Sequence, residues 1–298
     1  MAPQSPLVSI ITVNYNAPDD TLEFLKSVKE LTYPNLEIIV VDNASKEDPG
    51  VRIAEAYPDV IYIRSEKNLG FAGGNNLGIN ISKGDYLFFL NNDTLLYRDF
   101  MEPIVNFMEE HPDAGMASPM VVYPDGKTIQ YAGGIGINPY TGRGKRVGLF
   151  EEDRGQYNMI CKTDFGHGAA MIVPRKVITN VGPMPELFFL YYEEHDWVEQ
   201  VKRAGYAMYY IGTTKVLHKE SISTGGFESP LKVYYLTRNR LLFMRRNTEG
   251  APYVIGLLFF VLVSIPKNTL MYLFRGKLKL LRSFYQGIGW NLMNHNIA

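Results

Sequence analysis

The chain has 298 residues, 46% apolar and 20% charged, values that exclude an extended disordered chain and leave room for one large domain with an appendage. The formal net charge of −1 conceals a division: from Arg238 onward nine Lys/Arg face one acid, Glu249, for +8, so the remainder carries −9. The single cysteine, Cys161, excludes an internal disulfide framework and a cysteine-built zinc site, and fits a reducing compartment such as the cytosol.

The opening MAPQSPLVSI shows no basic stretch followed by an apolar one, so no secretory signal is expected. Val8–Val13 is a continuous, largely apolar and β-branched run, as in a strand covered on both faces. Helical spacing of Leu22, Leu25, Val28 and Leu31 predicts a helix over Asp19–Leu31, and Leu36–Val41 repeats the strand pattern. A short helix over Val51–Tyr57 and a third strand over Val60–Ile63 come next. Asn68–Gly78 is a glycine-rich loop opening a helix, and Tyr86–Leu90 is a fourth strand. Strands alternating with helices imply a mostly parallel sheet with helices on both faces, whose ligands lie at the carboxyl ends of the strands. Those ends carry Asn14-Tyr15-Asn16, Asp42-Asn43-Ala44-Ser45 and Asn91-Asn92-Asp93. Each alone is an ordinary turn signal; three on one edge point to a site.

Met120–Lys162, rich in glycine and turn residues, reads as a hairpin and a long loop able to order over a ligand. Ala169–Val173 reads as a strand, Glu193–Ala204 as a helix and Ala207–Ile211 as a strand. Tyr253–Ile265 is almost wholly apolar, but Pro266 interrupts it after thirteen residues, short of the roughly twenty a spanning helix needs. Basic and apolar residues alternate beyond it at helical spacing, which suits a helix in the interface of an anionic membrane. The alternatives are a helical subdomain or an oligomer interface that would make the chain a homo-oligomer.

The glycine loop follows the third strand and is neither a dinucleotide fingerprint nor a P-loop. Asp93 carries more information: a hard divalent cation on a nucleotide diphosphate needs one or two carboxylates and takes its other ligands from phosphate and water. Glu193, Glu194 and Asp196 cluster after an aromatic run at a helix start. That position favours acids through the helix dipole, and it also suits a general base for an acceptor hydroxyl.

Taken in order, VSIITVNYN, EIIVVDNAS, NLGFAGGNN, GDYLFFLNNDT and FFLYYEEHDW followed by RAGY resemble the successive motifs of family 2 inverting glycosyltransferases, closest to the rhamnosyltransferase-like branch. The resemblance runs from Val8 to His218. It implies a GT-A (Rossmann-like) α/β fold over about 1–225, with a nucleotide-sugar half (1–118) and an acceptor half (119–225). A basic, apolar helical region over 226–298 associates with membrane.

It further implies donor binding by Thr12, Asn14, Asn16, Asp42, Asn43, Ser45, Asn68, Gly70, Asn75, Asn76, Asn91 and Asn92. The metal, Mn²⁺ or Mg²⁺, falls to Asp93 and His218, and imidazole ligation tilts the choice toward Mn²⁺. Glu194 takes the place of the catalytic base, with Asp196 as the second acid of that motif. His167 and Trp197 lie on the acceptor side. Two departures stand out: Asn91 where the metal-binding motif has Asp, and Glu194 where the base is usually Asp.

The implied reaction moves a sugar from a nucleotide-diphosphate donor (dTDP-rhamnose or a UDP-hexose) to a glycan or lipid-linked acceptor in surface polysaccharide assembly. It would run on the cytoplasmic face of the membrane, with an anionic inner surface as a partner. Four rivals fit less well. A glycoside hydrolase needs two carboxylates about 5–9.5 Å apart across the bond, which adjacent Glu193 and Glu194 do not supply. A sugar nucleotidyltransferase would carry a Gly-rich basic signature where this chain has NYNAPDD. A non-catalytic protein of the same fold would not retain both acids. Nucleic-acid binding lacks a polar groove lined with stacking aromatics.

Overall fold

The computed structural model describes residues 5–220 and 229–297. Among them ten strands build one mixed sheet: β1 (Val8–Asn14), β2 (Leu36–Asp42), β3 (Ile61–Arg64), β4 (Tyr86–Leu90), β5 (Thr94–Leu96), β6 (Ala114–Val122), β7 (Ile129–Tyr131), β10 (Ile160–Lys162), β11 (Ala170–Pro174) and β12 (Ala207–His218), while β8 (Gly134–Asn138) and β9 (Arg143–Arg146) form a separate hairpin. The order is β10-β12-β6-β11-β4-β1-β2-β3, with β5 on β12 and β7 on β6. β1 pairs in parallel with β2 and β4, β2 with β3, and β6 with β12, whereas β11 runs against both β4 and β6. The α-helices up to Asn247 are α1 (Pro18–Lys29), α2 (Gly50–Ala56), α3 (Gly70–Ile81), α4 (Glu102–Glu110), α5 (Arg175–Val181), α6 (Glu193–Arg203) and α7 (Pro230–Asn247).

The continuous apolar runs reflect burial on both faces. Ile10, Val40 and Phe88 pack into one core, and their neighbours Ile11, Val41 and Phe89 into a second across the sheet. Each such fully buried side chain contributes about 1.5–3 kcal/mol, enough to fix register. The sheet runs unbroken through the expected 118/119 division, because β6 crosses it. The boundary expected at 225/226 lies outside the described residues.

Three expectations are corrected. The strand expected to end at Ile211 continues to His218, with an irregularity between Ile211 and Lys215, and so carries that histidine to the sheet edge. The segment 120–162 resolves into the end of β6, then β7, the β8–β9 hairpin and β10. Finally, Pro266 does not break the apolar helix. A π turn at Phe260–Ser264 precedes it, and Pro266 sits in the first turn of the α-helical stretch that resumes at Ile265, where its missing N–H is tolerated. The helix therefore spans Gly250–Phe274, long and apolar enough by length and composition to cross a membrane. A last helix, Leu278–Met293, folds back against α7, and Phe260, Tyr272, Leu280 and Phe284 form a third core between these elements.

Candidate active site

Strand direction decides what meets. β1, β2, β4, β6 and β12 run parallel and end on one edge, and antiparallel β11 begins there, so Asn14, Asp42, Asn91–Asp93, His218 and the turn before Ala170 converge. Parallel pairing sets Asn14 opposite Asp42. Asn14 Nδ2 donates to Asp42 Oδ1 (2.8 Å) and Ser45 Oγ (3.1 Å), and Asn14 Oδ1 accepts from Thr21 (2.9 Å). Asn92 extends the network to Thr21 Oγ1 at 2.9 Å. Asp42 is fully buried, and its second oxygen faces Arg64 Nε at 3.4 Å. Asn16, in the left-handed region, accepts from the Lys46 amide and donates its own amide to Ser45 Oγ. Asn43 Nδ2 reaches Asn68 Oδ1 and the Gly70 carbonyl, tying this edge to the glycine loop. Thr12 is buried on β1 with its hydroxyl unpaired.

At the other end of the edge, Asp93 is 6% exposed and neither carboxylate oxygen has a hydrogen-bond partner. His218 Nε2 lies 3.3 Å from Asp93 Oδ1, and Asn91 Nδ2 lies 3.5 Å from the same ring nitrogen. Gln130, fully buried on β7, fixes the ring: its Nε2 donates to the His218 carbonyl at 2.6 Å, which turns its Oε1 toward Nδ1 at 2.8 Å. Nδ1 therefore faces an acceptor and donates to it, and Nε2 points at a carboxylate oxygen. A ring nitrogen and a carboxylate this close need a proton or a cation between them. Among the described residues no group of three or more His, Cys, Asp or Glu is placed to hold a metal. The chain thus offers two ligands, a number that fits a cation drawing the rest from a diphosphate and water.

Glu194 is related to this pair through the turn at 167–168. A Cβ on Gly168 would be 3.9 Å from its carboxyl, and the ring of the neighbouring His167 stands edge-on to His218 with centroids 5.6 Å apart. His167 Nε2 also meets Arg146 Nη1 at 3.3 Å, and burial holds its pKa well below the ordinary value. Of the paired glutamates, Glu193 is buried, and burial followed by the charge of Glu194 pushes its carboxyl well above the usual range. Glu194, with 19% of its side chain exposed, is the one open to an incoming molecule.

Other expected residues serve the fold. Asp196 is fully buried and accepts from Arg246 Nε (3.0 Å), Asn247 Nδ2 (2.6 Å) and Gln200 Nε2 (2.8 Å), which pins α6 to the end of α7. Trp197 is fully buried, edge-on to Phe89, with Nε1 on the Gly182 carbonyl, so it presents nothing to an acceptor. Asn75 bonds back to the Phe71 carbonyl, and Asn76 clamps Met184 and Glu186. Gln130 escaped the sequence reading; its one signal is a polar residue between Ile129 and Tyr131 in a short apolar strand.

The glycosyl transferase family 2 model matches residues 9–181. The chain belongs to that family. Its relatives include a low-salt glycan biosynthesis hexosyltransferase, Agl10, of Haloferax volcanii, 26% identical over 79% of this chain and 74% of that protein. An N-acetylglucosaminyl-diphospho-decaprenol L-rhamnosyltransferase of Mycobacterium tuberculosis is 22% identical over 74% and 78% of the two chains. An uncharacterized glycosyltransferase of Haemophilus influenzae is 36% identical over 36% of each chain. A solved mannosyltransferase from Pyrobaculum calidifontis, in complex with GDP-Man and Mn²⁺, superposes with TM-score 0.59 at 17% identity, over 98% of this chain and 76% of that one. The fold is GT-A, and the protein is a family 2 glycosyltransferase.

Proposed function

We propose that this glycosyltransferase transfers a sugar with inversion from a nucleotide-diphosphate donor, dTDP-rhamnose or a UDP-hexose, to a lipid-linked glycan acceptor at the cytoplasmic face of a membrane. The observation that carries the reading is Asp93, a buried carboxylate with no hydrogen-bond partner, whose Oδ1 lies 3.3 Å from Nε2 of an oriented His218. Asp93 and His218 would hold Mn²⁺ or Mg²⁺, which when bound supplies positive charge to the diphosphate leaving group.

Donor binding falls to the edge built by Asn14, Asp42, Asn43, Ser45 and Asn68. The acceptor hydroxyl approaches Glu194, which takes its proton. The oxygen then bonds to the anomeric carbon as the bond to the diphosphate breaks, with the electron pair leaving on the diphosphate. Single displacement inverts the configuration and needs no covalent sugar intermediate. The name of the Mycobacterium tuberculosis relative favours a lipid-diphosphate acceptor, as does the exposed apolar surface of the Gly250–Phe274 helix, which carries Lys267 and is followed by Arg275, Lys277 and Lys279.

The test separates the roles. In thermal-shift titrations with dTDP or UDP, Asp93→Asn should lose the Mn²⁺-dependent stabilisation that wild type shows. Glu194→Gln should keep that shift yet lose about 10²–10⁴-fold in turnover. Wild-type turnover in Glu194→Gln would refute the base; an undiminished Mn²⁺ shift in Asp93→Asn would refute the metal site.

A further inference from the structure

The segment leading into the base is strained. Phe189, Tyr191 and Tyr192 have φ of 64°, 69° and 75°, three non-glycine residues with positive φ among four, and Tyr192 is the residue before α6 and Glu193. L-residues persist in such conformations only where surrounding structure holds them there. Here the holding comes from the basic C-terminal region, through the consecutive residues Arg238, Asn239 and Arg240 of α7.

Asn239 is fully buried, and the two hydrogens of its Nδ2 are shared among the carbonyls of Phe188 (2.9 Å), Leu190 (2.7 Å) and Tyr191 (2.8 Å). Its Oδ1 has no partner, a buried cost that the amide accepts in order to aim its donors. The reverse orientation would set four acceptor oxygens against one another, so the side chain has one usable pose. Arg238 donates to the Leu187 carbonyl. Arg240 Nε donates to the Thr141 carbonyl at 2.7 Å, next to Gly142, whose carbonyl accepts from Tyr192 Oη at 2.8 Å. The same residues reach away from the site. Arg238 lies over the Trp290 ring (4.2 Å) and its carbonyl accepts from Asn291, while Arg240 meets Ser264 Oγ at 3.3 Å and the Phe260 ring.

We infer that Asn239 is a positioning residue for Glu194: it locks the left-handed turn at 189–192 and so fixes where α6 begins. The apolar helices that flank α7 are then part of the catalytic apparatus as well as an anchor. This rests on Glu194 as the base and adds the element that places it.

The experiment uses the full chain. Kinetics follow nucleoside diphosphate release from dTDP-rhamnose or a UDP-hexose, with Asn239→Ala, Asn239→Asp, Glu194→Gln and the Asn239→Ala/Glu194→Gln double variant. Asn239→Ala should lower kcat about 50-fold with donor KM within about 3-fold, the signature of a misplaced group rather than lost binding. Asn239→Asp, which sets a carboxylate against three carbonyls, should be worse. In the Glu194→Gln background Asn239→Ala should change the residual rate by less than about 3-fold, because a residue acting through Glu194 has nothing left to act on. An equal loss in both backgrounds would overturn the positioning role while leaving the base intact. Wild-type turnover in Glu194→Gln alone would overturn both.

Hydrogen exchange supplies a readout free of donor identity. Amides of 189–196 should exchange at least about 10-fold faster in Asn239→Ala, with β1 and β4 unchanged. Unchanged protection at 189–196 would overturn the inference. Should Asn239→Ala fail to fold, Asn239→Ser, which removes the amide donors but keeps a small polar side chain, should show the same local loss of protection, and its absence would count equally against the inference.

Discussion

Gly70→Ala tests how the glycine loop and the turn before Glu194 are joined. Gly70 opens α3 with φ +72°, and a Cβ there would lie 2.1 Å from the Phe189 carbonyl oxygen, 0.9 Å inside the 3.0 Å that real Cβ contacts keep. The obstacle is backbone, so no side chain can swing aside. The left-handed conformation costs alanine about 1–2 kcal/mol. Displacing Phe189 also breaks the bond its carbonyl accepts from the Phe71 amide (2.8 Å), worth about 1 kcal/mol more. The sum of about 2–3 kcal/mol predicts a Tm lower by roughly 3–5 °C for a chain of this size. A turn pushed by about 1 Å should also cost roughly 100-fold in kcat.

Gly205→Ala is the control: φ there is +90° and nothing lies within 4 Å of the added Cβ, so only the backbone term applies. Calorimetry and donor turnover on both variants decide the matter. Should Gly70→Ala melt like Gly205→Ala and keep wild-type kcat, the contact between Gly70 and Phe189 does not set the site.

Glu193→Gln should stabilise the protein increasingly as pH rises. Burial raises the folded-state pKa of Glu193 well above its ordinary 4.5, so the native protein keeps a proton that the unfolded chain releases. That contribution is complete below about 4.5 and is lost as pH rises toward the folded value; Tm measured from pH 5 to 8.5 should diverge between wild type and variant, and parallel curves would refute a buried neutral acid. Gln130→Leu should free the His218 ring and weaken the Mn²⁺-dependent thermal shift about 10–100-fold in apparent affinity, as loss of a buried ligand-orienting partner does; an unchanged titration would show that Gln130 does not orient the ring. For the membrane reading, Leu262→Glu with Phe274→Glu alters side chains 68% and 87% exposed, so Tm should hold while pelleting with anionic vesicles falls more than about 100-fold. Undiminished pelleting would place the contact elsewhere.

Local chemistry determined much of this protein. Apolar runs, β-branched in β1 and β2 and aromatic in β4, specified these strands because a strand covered on both faces is mostly apolar. The amides and carboxylates closing those strands marked the site, since polar groups at the end of a buried strand need a partner. Motif order supplied the family. The sequence did not reveal which acid is open and which is structural: Glu193, Glu194 and Asp196 all fall in the first turn of one helix, and only packing buries the first, leaves the second partly exposed and gives the third to Arg246 and Asn247. Trp197 read as an acceptor-side aromatic for the same reason. Gln130 meets His218 across 88 residues, and Asn239 meets Tyr191 across 48. Such partners are chosen by strand order and helix docking, which no local period encodes. The π turn before Pro266 likewise exists only in three dimensions, where it converts an apparent break into one long helix.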